Sequence, residues 1–163
     1  MYLLDTGLLV ELREARRSAG NQALIAWAER VPAAQMFISA ATLLELESFA
    51  AQAARHSKEI GLTWRDWLDR QICTAFAERI LPVDVAVVRR RFQISYADDR
   101  EGILAATALV HNLTFVTAEP QKYRAGRVKV LGPAGLELDG AEDTDWRGAT
   151  HSGTAWFRNL LIR

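Results

Sequence analysis

The 163-residue chain has few cysteines, prolines and histidines, and it carries no excess of charge, because 20 basic residues balance 20 acidic ones. Its single cysteine, Cys73, excludes an internal disulfide bond and a zinc site built from several cysteines. We therefore expect a reducing compartment, the cytoplasm. The zero net charge excludes a protein that coats nucleic acid through bulk charge, but not one that acts on it at a local site.

The sequence also lacks long apolar runs. None approaches the roughly 18 residues that a membrane-spanning helix needs, and the first residues lack the basic start of a secretory signal. We therefore expect no membrane association. Hydrophobic residues make up 50% of the chain and charged residues 25%, as in ordinary soluble globular proteins. The length suits a single domain with one core.

Short apolar runs alternate with longer helical patterns along the chain. The runs predict five strands, over residues 2–4, 36–39, 80–83, 114–117 and 128–131. The helical patterns predict helices over residues 7–17, 21–30, 40–55, from 63 onward, 84–96 and 98–112. This alternation predicts an α/β fold with a central parallel sheet covered on both faces, a single-domain three-layer α/β/α sandwich.

Two helix ends carry recognisable signals. Thr63 and Asp66 form a pair like a capping box, which predicts that a helix begins at Thr63. Asn112 stands where the end of a helix needs a residue that tolerates a left-handed backbone. These signals set the expected boundaries of the fourth and last predicted helices.

Four acidic residues stand at predicted strand ends or helix starts. Asp5 closes the first strand, Glu45 lies one turn into the helix after the second strand, Glu101 opens a helix, and Glu119 follows the fourth strand. In a parallel sheet the carboxyl ends of the strands share one edge, so the four side chains can converge there. Convergent carboxylates repel one another unless a cation neutralises them. Oxygen ligands alone indicate a hard ion, Mg²⁺ or Mn²⁺.

These residues also have ordinary structural explanations. Asp5 or Thr6 can cap a helix that starts near Gly7. Thr6 and Thr117 either hydrogen-bond the ligand carboxylates or make routine turn contacts. Glu45 and Glu47 are two positions apart on a helix and point to different faces, so only one of them can reach a shared site.

The two later acids have simpler alternatives as well. Asp98 and Glu101 fit a capping box, with Asp98 as the N-cap. Glu119 precedes Pro120 and can be a solvated loop residue. Spacing alone leaves both explanations open.

Four segments resemble one known family. They are Leu-Leu-Asp-Thr (3–6), Thr-Leu-Leu-Glu-Leu (42–46), Glu-Gly-Ile-Leu-Ala-Ala-Thr-Ala-Leu (101–109) and Leu-Thr-Phe-Val-Thr (113–117). In order and spacing they look like PIN-domain ribonucleases, in particular the VapC-type toxin of bacterial toxin–antitoxin systems. The resemblance runs over residues 1–131, which implies a PIN-like domain there and a C-terminal extension over 132–163 that either docks or is disordered.

The resemblance implies a metal-dependent endoribonuclease, an RNA substrate, Mg²⁺ or Mn²⁺ as cofactor, a cognate antitoxin protein and a homodimer. The family's acidic positions fall on the residues expected to bind metal and carry catalysis, with two threonines supporting them: Asp5, Glu45, Glu101 and Glu119, then Thr6 and Thr117. Attack would come from a metal-activated water.

The chain departs from the family pattern at three positions. Gly7 replaces an asparagine, Glu101 replaces an aspartate, and Lys122 stands where many members have a final aspartate. An ammonium near the place of a second cation favours a single ion. These departures leave a second hypothesis, a weakened or silent PIN domain that serves as a protein-interaction module.

Other segments allow hypotheses about partners. An apolar helical stripe from Trp64 to Phe76 either forms a dimer or antitoxin groove or packs internally. Arginines at 13, 16 and 17 and at 89–91 are candidates for contacts with the RNA backbone. Residues 132–163 are rich in Gly, Asp and Thr and end in an apolar patch over 156–162.

Overall fold

Five short parallel strands form the sheet at the centre of the fold. The structure is a computed structural model and describes residues 1–14 and 22–136. Its strands are β1 (Tyr2–Leu4), β2 (Met36–Ser39), β3 (Ile80–Leu81), β4 (Thr114–Val116) and β5 (Val130–Leu131). Their spatial order is β3-β2-β1-β4-β5, and every neighbouring pair is parallel. The predicted α/β fold with a parallel sheet is confirmed.

Helices connect these strands. The α-helices are α1 (Thr6–Glu14), α2 (Gln22–Arg30), α3 (Ala40–His56), α4 (Lys58–Trp67), α5 (Cys73–Ala75), α6 (Val85–Arg91), α7 (Asp99–Val110) and α8 (Pro133–Leu136). A π-helical turn, Leu68–Ile72, joins α4 to α5, and two 3₁₀ helices span Ala33–Gln35 and Pro120–Gly126. Each parallel pair of strands needs such a crossover connection.

The two faces of the sheet pack against different helices, because successive strand residues point to opposite sides. On one face, Leu4, Ile38 and Val116 join a buried cluster with residues of α1, α2, α3 and α4. On the other face, Leu3 and Phe115 pack with α7. The molecule is therefore the three-layer sandwich predicted from the sequence.

Side-chain caps set several helix boundaries. Asp84 Oδ1 accepts a hydrogen bond from the Val87 amide at 2.9 Å, and Asp98 Oδ1 accepts one from the Glu101 amide at 3.0 Å. Asp98 is thus the N-cap of α7, as the capping-box interpretation predicted. Among the described residues, the Glu101 side chain does not return the second hydrogen bond that would complete the box. Asn112 has a φ of 51°, which confirms the left-handed residue expected after this helix.

The helix predicted to begin at Thr63 begins at Lys58 instead. Ser57 ends α3 and caps α4, accepting a hydrogen bond from the Ile60 amide at 3.4 Å. Thr63 lies inside α4, where its hydroxyl donates to the Glu59 carbonyl at 3.0 Å. The capping signal at Thr63 was wrong, because a serine six residues earlier already caps the helix by accepting from one of its free amides.

The helix predicted over residues 84–96 ends early, at Arg91. The Arg91 guanidinium donates to the carbonyls of Ile94 and Tyr96, at 3.3 and 3.0 Å, and so stabilises a turn after the helix. A side chain that satisfies these carbonyls removes the need for another helical turn.

The apolar stripe after Trp64 packs internally. Trp67, Leu68, Ile72 and Phe76 are at most 1% exposed and belong to the main core cluster. Trp64, at the start of the stripe, is half-buried, with its ring centroid 6.1 Å from that of Phe49. The sequence allowed either a groove for a partner or packing within the domain, and the structure shows packing within the domain.

The chain just after residue 131 is part of the packed structure. Leu136, in α8, is 1% exposed, and its carbonyl accepts a hydrogen bond from Arg30 Nη2 of α2 at 3.3 Å. The predicted apolar patch over 156–162 lies outside the described residues, as do Arg16 and Arg17. Within the described part of the chain, no helix is long and apolar enough to cross a membrane.

The strand order creates a crevice between β1 and β4. From β1 the chain builds the sheet toward β2 and β3, and it then crosses over to β4 and β5 on the other side. In open α/β sheets, ligands bind where the order reverses in this way, at the carboxyl ends of the strands. Asp5 and Thr117 directly follow the two strands that border this crevice.

Candidate active site

Asp5 lies at the crevice and is held by several donors. Its amide extends the sheet by donating to the Val116 carbonyl at 3.0 Å. Asp5 Oδ1 accepts from the Thr6 amide at 2.8 Å, and Oδ2 accepts from the Thr117 hydroxyl at 2.7 Å. Only 6% of the residue is exposed. These bonds compensate the cost of burying a carboxylate and fix its orientation.

Glu45 reaches the same place from α3. Ser39 caps this helix directly after β2, accepting from the Ala41 amide at 3.2 Å, which brings the first turns of α3 to the carboxyl edge of the sheet. Thr6 Oγ1 donates a hydrogen bond to Glu45 Oε2. Thr6 therefore contacts both acids, Asp5 through its amide and Glu45 through its hydroxyl.

A third group, the guanidinium of Arg100, bridges these two acids. Arg100 Nη2 lies 2.8 Å from Asp5 Oδ1, and Arg100 Nε donates to Glu45 Oε1. Burial alone would lower the pKa of Arg100, but the hydrogen bond to Glu45 and the negative charges of Asp5 and Glu45 outweigh it and raise this pKa. The residue is a permanent cation at the centre of the site.

The other two predicted acids lie outside this hydrogen-bonded group. Glu119 Oε2 pairs with Lys122 Nζ at 2.7 Å, and both side chains are exposed. The hydrogen bond to Glu119 is the main cause of the raised pKa of Lys122. Within the described residues, the Glu101 side chain makes neither a hydrogen bond nor an ion pair. Burial is the main cause of the raised pKa values of Tyr96 and Tyr123, and the charge of Glu101 adds to it.

Tyr123, on the 3₁₀ helix, lies beside the acid group. It is 1% exposed, and its ring centroid lies 4.5 Å from that of Phe115. Burial and then the charge of Asp5 raise the pKa of Tyr123, while neighbouring Arg100 opposes this shift. Its hydroxyl has no partner at hydrogen-bond geometry among the described residues. A buried donor without an acceptor is uncommon in folded proteins.

A cleft of about 640 Å³ opens beside the acids. Its lining is mixed, with apolar side chains next to the polar ones, and comprises Thr6, Gly7, Val10, Leu44, Glu45, Ser48, Phe49 and Arg100. Leu44 is 68% exposed and Phe49 40%. Solvent and ligands can therefore approach Glu45 and Arg100 along an apolar wall.

The chain matches one family model over most of its length. Residues 2–128 match the family model described as the PIN domain. The chain belongs to the PIN-domain family. This match includes β1, β4 and all four predicted acids, and it confirms the resemblance drawn from the four sequence segments.

This PIN domain is similar in sequence to a toxin and to a ribonuclease. It is 33% identical over 141 residues to Toxin FitB of Neisseria gonorrhoeae, covering 82% of this chain and 98% of that protein. It is 27% identical over 147 residues to VapC ribonuclease Y4jK of Sinorhizobium fredii, covering 82% of this chain and 97% of the relative. Relatives of the VapC type were expected from the sequence.

A solved structure agrees with the fold. The crystal structure of FitAcB from Neisseria gonorrhoeae matches this PIN domain with a TM-score of 0.74 and 29% identity, over 82% of this chain and 99% of the other. The similarity covers nearly all of that chain, so the layered architecture is shared over its whole length.

The site fits a divalent cation in donor type. Asp5 and Glu45 provide carboxylate oxygens, the ligands that Mg²⁺ and Mn²⁺ prefer. Among the described residues, the buried Tyr123 hydroxyl has no partner at hydrogen-bond geometry, as expected beside a position that takes a hydrated ligand. Within residues 1–14 and 22–136, however, no three His, Cys, Asp or Glu side chains lie close enough to hold one ion together. Asp5 and Glu45 are the residues that would hold it.

Sequence reasoning missed Arg100 and Tyr123. Arg100 carried one usable signal, because a basic residue in the first turn of a helix opposes the helix dipole and so needs another reason to be there. Tyr123 carried none, because an aromatic residue in a short loop helix reads as ordinary core.

Two of the arginines proposed for RNA contacts are structural. Arg13 is buried, and its guanidinium lies 4.0 Å from the Trp64 ring centroid. Arg91 pairs with Asp99 at 2.9 Å and is only 11% exposed at its side chain. Gly102 permits this packing, since a Cβ there would lie 2.1 Å from the Arg91 side chain.

Proposed function

We propose that this PIN domain is the ribonuclease toxin of a toxin–antitoxin pair and that it hydrolyses RNA phosphodiester bonds with a divalent ion, Mg²⁺ or Mn²⁺. Membership of the family and the similarity to a toxin and to a VapC ribonuclease support the toxin and nuclease parts. The oxygen-only acid pair supports the metal part.

One observation carries the proposal, namely the environment of Asp5. A carboxylate that is 6% exposed, at the crevice between β1 and β4, accepts hydrogen bonds from Thr6, Thr117 and Arg100. A residue that only caps a helix does not need this set of partners from three parts of the chain. The arrangement holds a negative charge fixed where ligands of such sheets bind.

The roles of the residues follow from their exposure and partners. A bound ion would acidify a bound water and neutralise charge developing on the phosphate. Asp5, held by Thr6 and Thr117, would be its central ligand. Glu45, which is more exposed and borders the cleft, would share in holding the ion and would orient the attacking water or accept its proton. Glu101 and Glu119 remain proposed supporting ligands.

The test compares RNA cleavage by the parent protein and three variants. With Mg²⁺ or Mn²⁺, the parent protein should cleave RNA, and a chelator should stop it. Glu45→Gln should reduce the cleavage rate by about 100-fold or more, because removing a catalytic acid or base costs about that much. Glu47→Gln is the matched control, since Glu47 lies two residues further on α3 and pairs with Arg65 instead, at 2.5 Å.

The same rate measurement can refute the proposal. Asp5→Asn keeps the shape of the side chain and should abolish cleavage, whereas Glu47→Gln should leave it unchanged. Full activity in Asp5→Asn, or activity that persists with the chelator, would show that the acid pair is not the active site.

A second candidate function is a silent PIN domain that only binds other proteins. The observation in its favour is that three of the predicted acids already form ion pairs with basic side chains. Arg100 pairs with Asp5 and Glu45, and Lys122 pairs with Glu119. This hypothesis predicts no metal-dependent cleavage by any of the proteins in the test.

The proposed partners follow from the resemblance. We expect a cognate antitoxin protein, because both the resembled family and the FitB relative are toxins, and we expect a homodimer. We place the activity in the cytoplasm, where cellular RNA is available and Cys73 stays reduced. Size-exclusion chromatography of the protein alone would test the homodimer, and co-expression with the product of any small reading frame found beside its gene would test the antitoxin.

A further inference from the structure

We propose that Arg100 competes with the divalent cation for Asp5 and Glu45, so that this arginine sets the metal affinity of the site. The inference rests on the proposed function, because it concerns the same two acids. It adds a side chain of the same protein that opposes metal binding at these acids.

The contacts of Arg100 support this competition. Two nitrogens of the guanidinium each donate a hydrogen bond, Nη2 to Asp5 Oδ1 at 2.8 Å and Nε to Glu45 Oε1. The bridge thus takes an oxygen from each acid, the same atoms that an ion would need. An ion that binds both carboxylates must displace the guanidinium, because two cations cannot share these oxygens without strong repulsion.

The position of Arg100 in α7 supports it independently. The N-terminus of a helix favours negative charge, and the neighbours Asp98, Asp99 and Glu101 follow this rule. Arg100 opposes it. Capping and the helix dipole therefore do not explain an arginine here, whereas the two acids across the crevice do.

The arginine also has room to leave. Its side chain is 38% exposed and lines the cleft, while Asp5 is 9% and Glu45 20% exposed at their side chains. A flexible side chain at the border of a cleft can turn toward solvent without disturbing the packed core. The two acids cannot move in this way, because Thr6 and Thr117 hold them.

The test measures Mn²⁺ binding by isothermal titration calorimetry. Arg100→Gln should bind Mn²⁺ about tenfold more tightly or better than the parent protein, since the ion no longer displaces a cation from a partly exposed pair. Arg65→Gln is the matched control. It removes the same charge from another ion pair with an α3 glutamate, Glu47, and should leave the affinity unchanged.

Thermal unfolding gives a second readout that does not depend on activity. Without Mn²⁺, Arg100→Gln should unfold at a lower temperature than the parent, because the acids lose their cation. Mn²⁺ should raise its Tm more than that of the parent. Arg100→Lys, whose single ammonium cannot bridge two carboxylates with separate nitrogens, should fall between the two in Mn²⁺ affinity and should fold even if Arg100→Gln does not.

The outcomes separate this inference from the proposed function. If Mn²⁺ binds the parent, Arg100→Gln and Arg100→Lys equally well, the competition is refuted and the metal-dependent nuclease stands. If millimolar Mn²⁺ binds neither the parent nor the variants, both ideas are refuted. Tighter binding in Arg100→Gln that is lost again in the double variant Asp5→Asn/Arg100→Gln supports both.

Discussion

Tyr96 and Tyr123 differ in whether their hydroxyl groups have a hydrogen-bond partner. The Tyr96 hydroxyl donates to the Tyr123 carbonyl at 2.8 Å, so it is a satisfied group. The Tyr123 hydroxyl is buried next to Asp5 and Arg100 and lacks such a partner among the described residues. One tyrosine hydroxyl therefore has a hydrogen-bond partner, and the equivalent hydroxyl of the other tyrosine has none among the described residues.

We expect Tyr123→Phe to leave stability unchanged or to raise it, because it removes a buried hydroxyl that has no partner at hydrogen-bond geometry in the described part of the chain. Tyr96→Phe is the matched change and should lower the free energy of unfolding by about 1 kcal/mol, the usual value of one hydrogen bond. Urea denaturation of both variants measures this difference. A larger loss in Tyr123→Phe than in Tyr96→Phe would mean that the Tyr123 hydroxyl has a good partner after all.

At the residue scale, the sequence could predict the acid pair but not its counter-ion. Asp5 and Glu45 were found because strand ends in a parallel sheet share an edge, and the structure brings them together through Thr6. The place of the Arg100 side chain depends on rotamers and on a contact 95 residues away along the chain. No local pattern encodes such a contact.

Among the helices, two glycines with opposite surroundings show how elements pack. Gly61, in α4, faces α3 so closely that a Cβ would lie 2.5 Å from Ala54 Cα and Cβ. Gly7, in the first turn of α1, has no atom within 4 Å of such a Cβ. Gly61 permits the close crossing of α3 and α4, whereas packing does not require a glycine at position 7.

We therefore expect Gly61→Ala to destabilise the protein by about 1–3 kcal/mol, because the overlap with α3 outweighs the better helix propensity of alanine. Gly7→Ala should stabilise it by up to about 1 kcal/mol, since only the propensity term remains. The midpoints of urea denaturation report both signs. Equal effects from the two substitutions would contradict the close crossing of α3 and α4.

The elements themselves were largely predictable, and their ends were not. Apolar runs found every strand of the sheet, and the strand over 36–39 matches to the residue. The helix start expected at Thr63 was wrong, because Ser57 caps α4 earlier. Such boundaries depend on which of several capping side chains wins, and hydrophobic periodicity does not report this.

For the whole molecule, the last described helix extends the packed core beyond residue 131. Leu136 is buried against the core that contains Leu12 and Leu24, and α8 is tied to α2 through Arg30. The boundary predicted at 131 remains a prediction. Its position can be tested through the contribution of α8.

A chain ending at residue 131 should be less stable than one ending at residue 136 by about 2 kcal/mol, the usual contribution of one fully buried leucine. Thermal unfolding of the two chains side by side measures the difference. Leu136→Ala in the full-length protein is the control and should reproduce most of the loss. Identical Tm values for the two chains would show that α8 adds no stability.

The central position of β1 has a consequence for synthesis. β1 is made first, but it pairs with β4, and one of the donors to the Asp5 carboxylate is Thr117, 112 residues later. Such long-range pairing is slow to form, and an N-terminal segment waits for it while the ribosome adds residues. The acid site cannot be complete on a nascent chain shorter than 117 residues. If the proposed function holds, a growing chain of this protein therefore cannot cleave the RNA that encodes it until most of the domain has emerged.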